Sequence, residues 1–256
     1  MNFLLNVFIA IFGAVVGSFL NVCIYRIPEE KSLVFPASSC PGCGHPIRPY
    51  DNIPVLSYLF LRGRCRDCGQ KISPRYITVE LITAVMAVFL FRHYGFSLHF
   101  IFTFLFTAVL VVVTFIDLEH GIIPDVITLP GIPLSVIVSV TVMGVSFLDS
   151  ILGMFLGGGI FYLIAVGYEL LAKREGMGGG DIKLLAMLGA FFGWQSLIFI
   201  LLVSSLLGSI VGIGIMLMKK EGMKYAVPFG PFLSVAAVAY LFWGFEFGYM
   251  MTFYWG

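Results

Sequence analysis

Charged side chains are scarce in this sequence. Asp, Glu, Lys and Arg make up 11% of the 256 residues, whereas an ordinary soluble domain carries about 25%. So few charges cannot cover the surface of a soluble domain, and the composition excludes that class. It also excludes a disordered chain, because 59% of the residues are apolar and 16% are aromatic. The formal net charge is only +1, which gives no reason to expect a nucleic-acid partner.

Apolar segments fill most of the chain and predict an all-α polytopic membrane protein. A helix needs about 20 apolar residues to cross a hydrocarbon core of about 30 Å. The sixth predicted span has only thirteen residues, which favours a tilted or partial helix packed inside the bundle. The eight predicted spans lie at about residues 3–25, 77–94, 98–116, 126–144, 150–171, 182–194, 196–218 and 230–250.

The basic residues are distributed unevenly among the predicted loops. Eight of the fifteen Lys and Arg residues fall in the first loop, and six more fall in or beside the 172–181 and 219–229 loops. With eight spans these loops share one side of the membrane, and only Arg92 lies on the other. Positive charge is retained on the cytoplasmic side. We therefore expect residues 26–76 to be cytoplasmic and both termini to face outward.

Three regions follow from this pattern. The first is a transmembrane helix within 1–25, interpreted as retained because no Lys or Arg precedes it and its apolar stretch is longer than that of a secretory signal. The second is a hydrophilic cytoplasmic insert, 26–76, and the third is a membrane bundle, 77–256.

Glycine pairs four residues apart recur inside the spans. Such pairs are typical of close helix contacts in lipid, and the run 157–159 can also leave room for a ligand. The pairs are Gly13 with Gly17, Gly153 with Gly157, and Gly208 with Gly212.

Four of the five cysteines form two C-x-x-C knuckles in the insert. This spacing is typical of a tetrathiolate zinc site, and Gly42, Gly44 and Gly69 allow the positive φ angles of tight turns. Two disulfides are the alternative, but cytosolic thiols stay reduced. Because four thiolates fill a tetrahedral ion, we expect the zinc to be structural rather than catalytic. The knuckles are Cys40-Pro-Gly-Cys43 and Cys65-Arg-Asp-Cys68.

Two further residues near this motif are interpreted without a metal-binding role. Cys23 lies in the first span and is interpreted as a packed thiol. His45 adjoins the first knuckle, where four sulfurs already suffice.

Two aspartates lie at predicted cytoplasmic ends of spans. Asp117 closes the third span and Asp181 opens the sixth, and carboxylates at such places are costly and usually functional. If they converge, the pair shares a proton, so that one carboxylate takes a proton from water while the other donates one to a carbonyl. The glycine run 178–180 before Asp181 lets a peptide backbone approach. The pattern therefore favours a two-carboxylate hydrolase.

Spacing alone leaves other interpretations of these carboxylates open. An Asp that starts a helix is commonly a cap, and one at an interface is often merely solvated. Asp125 and Glu119 are rivals of Asp117, and His120 is interpreted as a loop residue. Lys183 projects from a different helix face than Asp181 and is given no role.

Four stretches of this chain resemble the family of bifunctional bacterial type IV prepilin leader peptidase/N-methyltransferases. The resemblance covers nearly the whole chain. It places the family's two catalytic aspartates on Asp117 and Asp181. The stretches are residues 17–28, the paired knuckles, residues 72–76 leading to Glu80, and the aspartate motifs at 117–125 and 178–181.

This resemblance implies a multi-pass aspartyl protease of the bacterial inner membrane. It would cut the short basic leader of prepilins or pseudopilins, the proteins of type IV pili and type II secretion, at the cytoplasmic face. It would then act as a methyltransferase on the new N-terminal amine, with S-adenosylmethionine as the methyl donor.

The residues for methyl transfer are harder to locate. No glycine-rich nucleotide loop follows a strand, so an S-adenosylmethionine site is not of Rossmann type. The resemblance places methylation with the insert and its flanking helices, where Asn21, Arg26 and Glu80 lie. They are hypothesised to hold the cofactor or the substrate amine. Alternatively they are interface anchors, so no cofactor-binding residue is assigned.

Two other classes of function stay open. A proton-coupled transporter with a structural zinc domain also uses intramembrane carboxylates, although both aspartates lie at one face and no inverted repeat is visible. A non-catalytic scaffold of the pilus machine is the other. Cleavage of a prepilin-like peptide discriminates among the three, and the sequence does not indicate an oligomeric state.

Overall fold

The structure is a computed structural model that describes residues 3–172, 178–219 and 227–255. Within these ranges the chain is mostly helical, as predicted, and the β structure is limited to two isolated bridges in the insert. A 3₁₀ helix lies at Pro49–Asn52, and a π-helical turn at Leu156–Ile160 joins α6 to α7. The α-helices are α1 (Phe3–Arg26), α2 (Leu56–Phe60), α3 (Arg75–Tyr94), α4 (Leu98–His120), α5 (Asp125–Thr141), α6 (Phe147–Phe155), α7 (Phe161–Ala172), α8 (Gly179–Phe192), α9 (Trp194–Lys219) and α10 (Gly230–Trp255).

Among the described residues, five helical segments are long and apolar enough to cross a membrane. They are α1, α3, α4, α9 and the segment Phe147–Gly167, which runs through the π-helical turn. Helix α5 and the part of α10 at Gly230–Gly244 are apolar but shorter. Five such segments agree with a multi-pass membrane protein, while the eight crossings and the outward termini stay predictions. Lys173, Arg174, Lys220 and Lys224, which support the predicted orientation, lie outside the described residues.

Residues 1–112 form one compact unit built on the α1–α3 pair. The two helices run antiparallel, because Gly13 lies against Ala84 and Ala87 while Gly17 lies against Glu80. A Cβ atom added at either glycine would come within 2.7 Å of an α3 atom. The predicted close contact at this glycine pair is therefore confirmed, and the missing side chains let the helix backbones touch.

Residues 113–256 form the second unit, with α8 at its centre. Nearly every residue of α8 from Ile182 to Phe191 is buried, and α8 packs against α5, α6 and the π-helical turn. Its fourteen residues span about 21 Å, which is less than the hydrocarbon thickness of about 30 Å. This length agrees with the predicted short sixth segment inside the bundle.

Glycines also shape the second unit, but only in part as predicted. Gly153 lies against the backbone of Gly189, and Gly157 lies against the Leu185 carbonyl. Helix α8 thus fills the space at Gly157 and Gly158 where room for a ligand was predicted. The third pair differs, since no atom of the described residues lies within 4 Å of a Cβ built at Gly212.

Candidate active site and metal centre

Asp117 lies near the carboxyl end of α4 and is almost fully buried. Only 5% of the residue is exposed. The backbone N–H of Gly230, at the first residue of α10, donates a hydrogen bond to Asp117 Oδ2 with an N···O distance of 3.0 Å. A Cβ atom at Gly230 would come within 2.7 Å of the same oxygen. Glycine at position 230 therefore lets a backbone donor reach and orient the carboxylate.

Asp181 lies in the first turn of α8, where the helix dipole favours a carboxylate. Its backbone N–H donates to the carbonyl of Gly178 at 3.1 Å. Gly178 and Gly179 are exposed, so the approach to this turn is free of side chains in the described residues. Gly180 instead packs closely, because a Cβ atom there would lie 2.8 Å from Ile123 Cβ.

The two aspartates, 64 residues apart in the sequence, lie on segments that meet at Ile123. Ile123 lies between Gly180, which precedes Asp181, and Gly230, which holds Asp117, because it contacts the positions of both glycines. The structure thus brings together the two predicted carboxylates. Such a pair can bind a water molecule and divide the acid and base roles between its members.

The rival carboxylates are placed differently. Asp125, the first residue of α5, is exposed and accepts two hydrogen bonds from Lys183 Nζ at 2.6 and 2.7 Å. Lys183 is therefore an ion-pair partner that joins α8 to α5. This is a structural contact outside the aspartate pair, in which Lys183 was given no role. Glu119 and His120 are exposed in the last turn of α4 rather than in a loop.

The four knuckle cysteines form a single cluster in the insert. Their sulfur atoms all lie within 4.8 Å of one another, and the Sγ atoms of Cys40 and Cys68 are 3.8 Å apart. Two thiolates that bind one tetrahedral zinc at about 2.3 Å are separated by about 3.8 Å. The donor set therefore fits zinc. Cys23 is buried in α1 and belongs to no metal cluster among the described residues.

The two knuckles repeat one backbone pattern. In each, the amide of the first cysteine donates to a carbonyl five residues later, and the amide four residues later donates back, at N···O distances of 2.8–3.0 Å. Gly44 and Gly69 close these turns with φ of +72°, as predicted. Gly42 is not among the residues with positive φ. A Cβ atom there would meet the amide end of the exposed, flexible Gln70 side chain, which can move aside, so space alone does not require glycine at this position.

The same turns prepare the first cysteine for a metal. Backbone N–H groups of Cys43 and Gly42 face the sulfur of Cys40 and lower the pKa of that thiol to about 7. The thiolate is the form that binds zinc.

An ion pair also ties the second knuckle to the 3₁₀ helix of the insert. Arg66 donates to both carboxylate oxygens of Asp51, and the Arg66 guanidinium holds the pKa of that carboxyl below its usual range.

Arg26 is engaged by the backbone of the insert. Its guanidinium donates to the carbonyl of Ser32 at 2.8 Å and to that of Pro36 at 2.6 Å. The residue is 91% buried, with 9% exposed. These bonds fold the start of the insert back on the end of α1, which favours the anchor interpretation for Arg26.

Asn21 and Glu80 also join α1, α3 and the insert. The amide nitrogen of Asn21 donates to the carbonyl of Tyr76 at 3.0 Å. Glu80 Oε2 accepts the backbone N–H of Val55 at 2.7 Å. Val55 has a φ of +63°, which is unusual for a β-branched residue, and no local sequence signal indicates it.

Family models match both parts of the chain. Residues 11–94 match the bacterial peptidase A24 N-terminal domain, and residues 104–213 match the type IV leader peptidase family. No solved structure gives a significant match.

Curated proteins named prepilin leader peptidase/N-methyltransferase are similar over most of the chain. One from Aeromonas hydrophila is 40% identical over 91% of this chain and 89% of its own length. One from Pseudomonas putida is 39% identical over 92% and 90%. One from Myxococcus xanthus is 41% identical over 82% of this chain and 63% of its own length.

Proposed function

Since the chain belongs to the type IV leader peptidase family, a family of aspartic-type peptidases, we propose that it cleaves the leader of type IV prepilins or pseudopilins. Asp117 and Asp181 are the proposed catalytic pair. The proposed site is the cytoplasmic face of the bacterial inner membrane. The chain then methylates the new N-terminal amine with S-adenosylmethionine. The observation that carries the proposal is that two carboxylates from remote elements lie on segments that meet at one residue, because Ile123 contacts the positions of both Gly180, next to Asp181, and Gly230, which touches Asp117.

The proposed substrate suits a pair of carboxylates at the predicted cytoplasmic interface of the membrane. A prepilin has a short basic leader followed by an apolar helix. The leader stays cytoplasmic for the same reason that the basic loops of this chain do. The scissile bond then lies at the interface, where Asp117 and Asp181 meet it without full unwinding of the substrate helix in lipid.

Hydrolysis in this site needs one ionised and one protonated carboxyl. The ionised group removes a proton from water, whose oxygen attacks the peptide carbonyl carbon. The protonated group donates to the carbonyl oxygen as the tetrahedral diol forms. The C–N bond then breaks, and a proton passes to the leaving nitrogen. The Gly230 N–H on Asp117 Oδ2 holds that carboxyl in place during both steps.

The zinc that fits the knuckles has a structural part in this proposal. Four thiolates complete its coordination and leave no position for water. Cys40, Cys43, Cys65 and Cys68 hold the two halves of the insert together, so the chain 26–76 is ordered although few of its residues are buried.

Substitution of each aspartate tests the peptidase. Asp117→Asn and Asp181→Asn keep the shape of the side chain but cannot ionise. We expect each to lower cleavage of a prepilin-like peptide by about two to four orders of magnitude. Asp149→Asn, in the first turn of α6, keeps an oxygen for the Trp194 indole N–H and is the matched control. Full cleavage by either site variant contradicts the proposed pair, and a transporter would cleave no peptide at all.

A further inference from the structure

A buried carboxylate outside the peptidase pair has too few partners. Glu80 is 8% exposed, and its contacts are the Val55 N–H and the hydroxyl of Ser18. Among the residues that the structure describes, no Lys, Arg or His forms an ion pair with it. Burial of an unpaired carboxylate is costly, so Glu80 either takes up a proton or pairs with a cation that the described residues do not supply.

A second unsatisfied acceptor faces the same junction. Asn21 is 2% exposed, and its Oδ1 atom has no hydrogen-bond donor. The orientation of this amide is determined, because Nδ2 donates to the carbonyls of Tyr76 and Gly17. A buried carbonyl oxygen without a donor destabilises the protein. The Oδ1 atom of Asn21 therefore also lacks a hydrogen-bond donor.

The two acceptors belong to one cluster. Asn21 lies opposite Tyr76, which is one helical turn before Glu80 on α3, and the Glu80 side chain points toward that end of the helix. Ser18, which contacts Glu80, is three residues before Asn21 and shares its face of α1. A ligand with several N–H donors and a positive charge fits both oxygens.

We propose that Glu80 and Asn21 bind a primary ammonium group during methyl transfer. The inference rests on the proposed methyltransferase function and assigns to it a site between α1, α3 and the insert. An ammonium supplies three donors and one positive charge, which satisfies Asn21 Oδ1 and neutralises Glu80. Two ligands of the reaction carry this group, the new N-terminus of the cut substrate and the amino-acid end of the methyl donor. A substrate ammonium would first give a proton to Glu80. The neutral amine would then attack the methyl carbon as the C–S bond breaks and S-adenosylhomocysteine leaves, and the methylated nitrogen would keep its remaining protons as a cation.

Ligand pairs that differ only in the amine test the site in the wild-type protein. The first pair is a mature pilin-like peptide with a free or an acetylated N-terminus, and the second is S-adenosylhomocysteine with or without its α-amino group. We expect the free amine of at least one pair to bind about tenfold tighter or more, as a charge-assisted hydrogen bond allows. The pair that responds identifies the source of the ammonium. Equal binding within both pairs overturns the proposal without any variant.

Glu80→Gln then assigns the effect to this residue. Glutamine keeps an oxygen for the Val55 N–H and loses the negative charge, so a purely anchoring role survives the change. We expect Glu80→Gln to abolish the preference for the free amine while zinc content and leader cleavage are retained. Glu29→Gln removes the same charge from an exposed glutamate that pairs with Lys31, and it should change neither preference. A free-amine preference that persists in Glu80→Gln overturns the proposal, whereas absence of methylation in the wild type refutes the proposed methyltransferase function instead.

Discussion

Gly180 occupies a position where a side chain does not fit. A Cβ atom there would lie 2.8 Å from the Ile123 side chain and 3.3 Å from its backbone. The neighbouring Gly179 differs, because no atom lies within 4 Å of a Cβ atom built there. Two adjacent glycines of one motif therefore have separate reasons to be glycine, one for packing and the other for access.

Alanine at these two positions gives a matched comparison. We expect Gly180→Ala to destabilise the protein by about 1–3 kcal/mol and to lower leader cleavage at least about tenfold, because Ile123 lies between the supports of both aspartates. Gly179→Ala should leave stability within about 1 kcal/mol of the wild type. The measurements are thermal unfolding in detergent and cleavage of a prepilin-like peptide. Equal effects of the two variants contradict the packing argument.

The two aspartates stand out in the sequence because each lies at the end of an apolar segment, where charge is rare, and the family resemblance selects them over Asp125 and Glu119. The residues that hold these aspartates in place could not be predicted from the sequence. Gly230 and Ile123 are apolar residues in an apolar chain, and Gly230 is 113 residues from the carboxylate that it holds. No local pattern marks such a contact, since only the packing of α4 beside the start of α10 creates it.

At the scale of elements, one ion pair connects α5 and α8. Lys183 lies two residues after Asp181, and Asp125 follows Asp117 by eight, so the pair joins the two segments that carry the aspartates. Both side chains are partly exposed, at 36% and 55%. Exposed pairs contribute about 0–1 kcal/mol, which predicts a modest effect on stability.

A double-mutant cycle measures this contribution. We expect Asp125→Asn and Lys183→Met each to lower stability slightly, and the double variant to lose about 0.5–1 kcal/mol less than the sum of the single losses. Denaturant titration of the detergent-solubilised protein gives the three values. Strictly additive losses would show that the pair contributes nothing.

A zinc ion held by the four clustered cysteines is the proposed source of order in an insert that has little apolar core of its own. Removing the metal with a strong chelator, or replacing Cys40 by Ser, should therefore unfold residues 38–72 and leave α5, α6 and α8 intact. Limited proteolysis with zinc quantification checks this, since new cuts should fall within the insert alone. Helical content should change little, because the insert contributes only α2 and one 3₁₀ turn. An insert that resists protease without zinc contradicts the structural role.

The elements themselves followed largely from apolar length and from breaks in the pattern. The predicted spans correspond to helices or helix pairs of the structure, and the knuckle spacing predicted the sulfur cluster. The sequence did not indicate the π-helical turn, nor that α8 occupies the space beside its glycines, because both features depend on a neighbouring helix. The positive φ angle of Val55 could not be predicted either, because its backbone N–H is held by the carboxylate of Glu80, 25 residues later in the sequence.

At the scale of the whole molecule, charge asymmetry predicts how the chain is oriented in the membrane. Eight of fifteen basic residues lie between residues 26 and 75, whereas the turn between α3 and α4 adjoins only Arg92. Since basic loops resist translocation, the insert and that turn should lie on opposite sides. This arrangement puts both proposed activities on the side where a basic leader stays.

Cysteine labelling in spheroplasts tests this orientation. Phe96, in the turn after α3, and Lys31, in the insert, are both exposed, so Phe96→Cys and Lys31→Cys are comparable reporters. A membrane-impermeant maleimide should label Phe96→Cys in intact spheroplasts and Lys31→Cys only after permeabilisation. The unsubstituted protein provides the baseline for its native thiols. Labelling of Lys31→Cys in intact spheroplasts would contradict the predicted orientation. The proposed peptidase would then lie on the side opposite to the basic leader of a prepilin.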